Sequence, residues 1–130
     1  MRDGRELPLV LIVDDYEDSR RMSAEFLSLS GFDVAEARDG LEAVQQAAKL
    51  QPDVILMDYM LPQIDGWEAA RRIKADARSR NAWIVGLTGF SEAEQRENAE
   101  EAGVDSFITK PCPPDKMVEE VRRLLDAGAH

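Results

Sequence analysis

Cysteine and histidine are almost absent from this chain: one of each, Cys112 and the final residue His130. A single thiol excludes an internal disulfide and fits a reducing compartment. Cys112 stands between two prolines with no base beside it in sequence, which argues for a structural thiol. With one terminal histidine, no helical histidine is available to carry a phosphoryl group. Long apolar runs are missing as well. The longest near the start, Leu7 to Val13, is interrupted by Pro8 and is too short to span a bilayer. Asp14-Asp15 follows it, where a secretory signal would have small residues. Positive charge is scarce: 16 Lys and Arg against 26 Asp and Glu leave a formal charge of −10. Such a domain repels a nucleic-acid backbone, and its acidity suits a basic partner or a cation. The sequence thus predicts a soluble cytoplasmic protein with no membrane partner and no direct contact to nucleic acid.

What is present suits one globular domain. At 130 residues and 44% hydrophobic content, the chain can bury a sizeable core. Residues 1–8 read as a polar lead-in, 9–126 as the domain and 127–130 as a tail. Five short apolar runs alternate with five helical patterns. Leu9–Val13, Val54–Met57, Trp83–Leu87 and Ser106–Thr109 have the length and composition of buried strands. Asp33–Ala37 alternates apolar with polar residues, as a half-buried edge strand does.

The helices are bounded by recognisable signals. Gly31 ends the first, from about Glu17 to Ser30, whose inner face is expected at Met22, Phe26 and Leu29. Asp39 caps the second, with Glu42 reaching back and Leu41, Val44 and Ala48 inside. Asp65 caps the third above Trp67, Ala70 and Ile73. Ser91 and Glu94 repeat the capping pattern at a Glu-rich fourth helix that has only Ala93, Ala99 and Ala102 to bury. Pro113 and Pro114 suit the first turn of the fifth, with Met117, Val118, Val121, Leu124 and Leu125 inside. Strands alternating with helices predict an α/β fold, a doubly wound five-stranded parallel sheet. The expected strand order is 2-1-3-4-5, flavodoxin-like.

Four of the strands end in a functional group: Asp14-Asp15, Asp58, Thr88 and Lys110. In a parallel sheet these ends share one edge, where ligands bind. Three carboxylates gathered there repel, at about 4 kcal/mol per pair for ~4 Å and an effective dielectric near 20. A divalent cation would relieve them, and an oxygen-only site suits Mg²⁺. Lys110 could pair with Asp58. A cation, a lysine and a hydroxyl around one carboxylate are the equipment of phosphoryl transfer, with Asp58 as the nucleophile.

These residues carry a resemblance. Leu11-Ile12-Val13-Asp14-Asp15, the stretch from Met57-Asp58 through Pro62 to Asp65-Gly66, Leu87-Thr88-Gly89 and Phe107-Ile108-Thr109-Lys110-Pro111 resemble, in order, the receiver domain of two-component response regulators. The likeness covers about Leu9 to Leu125. It implies a single-domain, chemotaxis-regulator-like switch that accepts a phosphoryl group on Asp58 from a sensor histidine kinase or phosphotransfer protein. It implies Mg²⁺ held by Asp15, Asp58 and the Met60 backbone carbonyl, with Asp14 acting through water. It implies that Lys110 bridges Asp58 and the phosphoryl group, that Thr88 moves toward it and that Phe107 repacks as the aromatic switch. The Lys110-Pro111 bond is expected to be cis. The surface of the fourth helix, fifth strand and fifth helix would then read out the switch to a downstream protein. The only chemistry expected is the chain's own phosphorylation and dephosphorylation. Phe107 lacks the hydroxyl of the tyrosine often found there. Met60 and Phe90, bulky and apolar, flank the approach of the hydrolytic water in the family, so slow dephosphorylation is expected.

Competing readings are a receiver that works without phosphorylation, an aspartyl phosphatase and a flavin-binding module. The intact acids and Lys110 oppose the first. The phosphatase often has a second acid two residues beyond its nucleophile, where Tyr16 and Met60 stand here. Asp14-Asp15 would repel the phosphate of a flavin.

Overall fold

The computed structural model describes residues 7–89 and 93–128, with the backbone alone for 93–96. The expectations for Met1–Glu6, Phe90, Ser91, the Ala93 and Glu94 side chains and His130 fall outside the described residues. Five strands alternate with five helices: β1 Leu9–Val13, α1 Glu17–Leu29, β2 Asp33–Ala37, α2 Gly40–Leu50, β3 Val54–Asp58, α3 Gly66–Ala75, β4 Trp83–Thr88, α4 Ala93–Glu101, β5 Ser106–Thr109 and α5 Pro114–Asp126. The sheet is parallel throughout, in the order β2-β1-β3-β4-β5. The sequence-derived fold class and strand order hold.

Successive residues of a strand point to opposite faces, and β1 and β3 are buried on both. Leu11, Val13, Ile55, Met57 and Ile84 therefore meet α2, α3 and the end of α4 on one side, through Ala43, Trp67, Ile73 and Ala99. Val10, Ile12, Leu56, Val85 and Leu87 meet α1 and α5 on the other, through Leu27, Met117, Val121 and Leu124. Each fully buried Leu or Ile in these layers contributes roughly 2–3 kcal/mol.

Caps set where the helices start. Asp39 accepts from the Glu42 N–H at 2.7 Å, and Asp65 from the Glu68 N–H at 2.9 Å. The reciprocal half differs from expectation. Glu42 accepts from the Arg38 N–H, one residue ahead of the cap, and Glu68 turns instead to Arg71 and Arg72.

Two inner faces also differ. In α1, Met22 and Leu29 are 63% and 81% exposed and Phe26 is 37% exposed, while Arg20, Ala24 and Leu27 are buried. Helix α1 carries two stripes at helical spacing, and the buried one contains an arginine, so its apolar content understated it. In α2, Leu41 is exposed, Val44 is half-buried and the small Gly40, Ala43 and Ala47 face inward with Ala48. Small residues let this helix lie close: a Cβ on Gly40 would stand 2.5 Å from the Ile64 side chain.

Candidate functional site

Strands β1 and β3 are neighbours and end together, so Asp14, Asp15 and Asp58 converge where the strand order reverses. One carboxylate oxygen from each lies within 4.8 Å of the others. Asp14 and Asp58 are buried and Asp15 is exposed. Lys110, which follows β5, reaches across to donate to Asp58 Oδ2 at 2.7 Å. Its own N–H donates to the Thr88 carbonyl at 2.9 Å, which fixes the start of its loop. The Lys110–Pro111 peptide bond is cis, as expected.

Asp58 is poised between opposing influences. Burial raises its carboxyl above the usual carboxylate range. Lys110 opposes this by hydrogen bond and charge, while the nearby Asp14 charge pushes the carboxyl further up. The Met60 N–H donates to Asp58 Oδ1 at 3.3 Å. Behind this loop, Gly66 opens α3 against the main chain of Asp58: a Cβ there would stand 2.2 Å from the Asp58 carbonyl oxygen. The Gly66 N–H donates to the Tyr59 carbonyl at 2.9 Å. A glycine is thus what lets the third helix begin directly beneath the acidic residue.

An open cleft of about 590 Å³ faces this group, lined by Asp14, Asp15, Ser19, Asp58, Met60 and Lys110 among others. Met60 is 63% exposed. Thr88 ends β4 but is buried, and its neighbour Gly89 is the one that lines the cleft. Phe107 stands apart from the acids, half-buried in β5, edge-on to Trp67. The oxygen-only donor set of three carboxylates fits a hard cation such as Mg²⁺. It is a poor match for metals that prefer sulfur or imidazole.

Two residues around Asp14 escaped the reading of the sequence. Arg20, buried on the inner face of α1, donates to the Asp14 carbonyl at 3.0 Å and to Glu36 of β2 at 2.9 Å. Ser19 donates to Asp14 Oδ2 at 2.7 Å. The one available signal was position: both lie within two turns of Asp14, and Arg20 falls in step with Ala24 and Leu27.

Comparison with known proteins places this geometry. The family model for the response regulator receiver domain matches residues 10–122. The DNA-binding dual master transcriptional regulator RpaA of Synechocystis is 33% identical over 119 residues, 92% of this chain and 49% of that protein. This chain thus spans about half of RpaA. The polar-differentiation response regulator DivK of Brucella anthropi is 30% identical over 116 residues, 89% of this chain and 94% of that protein. Among solved structures, the chemotaxis response regulator CheY4 of Vibrio cholerae superposes with a TM-score of 0.86 at 28% identity, covering 91% of this chain and 98% of that one. The receiver domain of a Pseudomonas aeruginosa sensor histidine kinase, with a magnesium ion coordinated in its active site cleft, gives 0.84 at 30% identity, covering 92% and 98%.

Proposed function

This chain belongs to the response regulator receiver family of two-component signalling, and on that premise we propose that Asp58 is where it accepts a phosphoryl group. The observation that carries the proposal is the 2.7 Å contact between Lys110 and Asp58, beside two further carboxylates within 4.8 Å. A sensor histidine kinase or phosphotransfer protein is the donor. An Asp58 carboxylate oxygen attacks the phosphorus of a phosphohistidine. The P–N bond breaks as the P–O bond forms, and the electron pair returns to the imidazole nitrogen. Hydrolysis reverses the modification: water attacks the phosphorus, the P–O bond to Asp58 breaks with its electron pair going to the carboxylate oxygen, and inorganic phosphate leaves.

Each residue has a task in this reading. Asp14, Asp15, Asp58 and the Met60 carbonyl would hold Mg²⁺, which supplies positive charge against the phosphoryl oxygens when bound. Lys110 keeps Asp58 ionised and oriented, then turns to a phosphoryl oxygen. The Thr88 hydroxyl, buried at the end of β4, moves to donate to another, and Phe107 repacks behind it. The readout is the surface of α4, β5 and α5 toward a downstream protein. Helix α4 suits it: among its described side chains Ala99 is buried, while Glu97, Glu100 and Glu101 are exposed. Equal amide exchange in α4 with and without a phosphoryl analogue would remove that part.

Intact mass before and after incubation with acetyl phosphate and Mg²⁺ tests the acceptor. One phosphoryl group is expected on the parent chain and none on Asp58→Ala. A mass gain that survives the substitution overturns the assignment. No gain on the parent favours a receiver that works without phosphorylation.

A further inference from the structure

The Asp14 carboxylate has both oxygens engaged by this chain's own donors. Oδ1 accepts from the Tyr16 N–H at 3.0 Å, and Oδ2 accepts from the Ser19 hydroxyl at 2.7 Å. The first donor is backbone, which almost any residue at that position would supply. The second is a side chain, and it exists because of the residue at 19.

The backbone of Asp14 is held independently. Its N–H donates to the Ala37 carbonyl at 3.1 Å, and its carbonyl accepts from Arg20 at 3.0 Å. What these backbone contacts leave to be fixed is the rotation of the Asp14 side chain, which the Tyr16 N–H holds at Oδ1 and Ser19 at Oδ2. Repulsion from Asp15 and Asp58, within 4.8 Å, drives that rotation outward. Ser19 works against it from the third residue of α1, where it borders the same cleft.

We propose that Ser19 is a positioning residue for the cation site: its hydroxyl keeps the Asp14 carboxylate beside Asp15 and Asp58 and thereby sets the affinity for a divalent cation. This rests on the reading that those acids bind Mg²⁺. It adds a determinant of how tightly they do so. Donors behind a metal's own ligands fix ligand orientation, and their loss typically weakens binding ten- to a hundredfold. Asp14 is the acid that acts on the cation through water in this reading, so the low end applies.

The test compares Ser19→Thr with Ser19→Val in the full chain. The two side chains have nearly the same volume and differ in the hydroxyl. Mg²⁺ is titrated calorimetrically, with no phosphodonor present, and thermal midpoints are recorded without metal. Parent-like affinity is expected for Ser19→Thr and about tenfold weaker affinity for Ser19→Val, at similar midpoints. Equal affinities in the two variants would overturn the role of Ser19 while leaving the cation site standing. Absence of Mg²⁺ binding by the parent chain would instead overturn the cation reading, and the role of Ser19 with it.

Discussion

Trp67 stands edge-on to Phe107, with ring centroids 6.3 Å apart and planes at 86°, and it is tilted against Tyr59 at 4.7 Å. One indole therefore touches both the residue after Asp58 and the aromatic ring of β5. Its buried Nε1–H has no hydrogen-bond partner, so its surroundings are apolar enough to make its emission sensitive to any rearrangement.

Trp67 emission is accordingly expected to report the state of Asp58. In Trp83→Phe, which leaves Trp67 as the one tryptophan, intensity should change on addition of beryllium fluoride with Mg²⁺. The same addition should leave a Trp83→Phe, Asp58→Ala protein unchanged. A silent Trp67 in the first protein would mean that the contact transmits nothing. Trp67 is also an anchor of the core, and Trp67→Ala should cost about 3–5 kcal/mol in a urea titration.

Gly66→Ala should destabilise the fold by about 2 kcal/mol or more. The added methyl would meet the Asp58 carbonyl oxygen at 2.2 Å and the Tyr59 Cα at 3.0 Å, and backbone does not yield as a flexible side chain would. Chemical denaturation measures the loss, and phosphoryl uptake from acetyl phosphate should fall with it. Parent-like stability would show that the start of α3 is free to move away from β3.

The pH dependence follows from Asp58. Its carboxyl lies higher in the folded protein than in the unfolded chain, chiefly through burial. Between the two values the native state binds more protons. Unfolding free energy therefore falls as pH rises through that window. Asp58→Asn carries no such charge. Without Mg²⁺, its thermal midpoint should exceed the parent's by a few degrees above the folded-state pKa. The advantage should vanish as pH falls below the unfolded value. Parallel curves for the two proteins across this range would contradict the assignment.

Met60→Asn should shorten the phosphoryl lifetime on the order of tenfold. A carboxamide at this exposed position can hydrogen-bond and orient a water, which a thioether cannot do. Decay of the phosphorylated mass in the presence of Mg²⁺ gives the rate. An unchanged lifetime would assign slow hydrolysis to another group.

The sheet and the acid cluster were legible because both depend on features that sequence order exposes. Apolar runs define strands, and a parallel sheet gathers their carboxyl ends whatever the intervening helices do. Asp14, Asp15, Asp58 and Lys110 were found that way. Side-chain direction was not legible to the same degree. Met22, Phe26 and Leu29 satisfy helical spacing as well as Ala24 and Leu27 do, and only the position of Glu36 on β2 explains why Arg20 turns inward. Ser19 looked like a surface serine, since nothing in its neighbours in sequence says that its hydroxyl meets a carboxylate at 2.7 Å. Thr88 was expected at the cleft; it is buried at the end of β4, and the adjacent Gly89 lines the cleft.

The outward stripe of α1 gives the molecule a colloidal property. Met22 and Leu29, at 63% and 81% exposure, are sticky ground on a particle kept in dispersion by a formal charge of −10. Near pH 4.5, where that charge is neutralised, copies lose their mutual repulsion while the stripe is unchanged. Self-association through this helix face is therefore expected to be strongest near the isoelectric point.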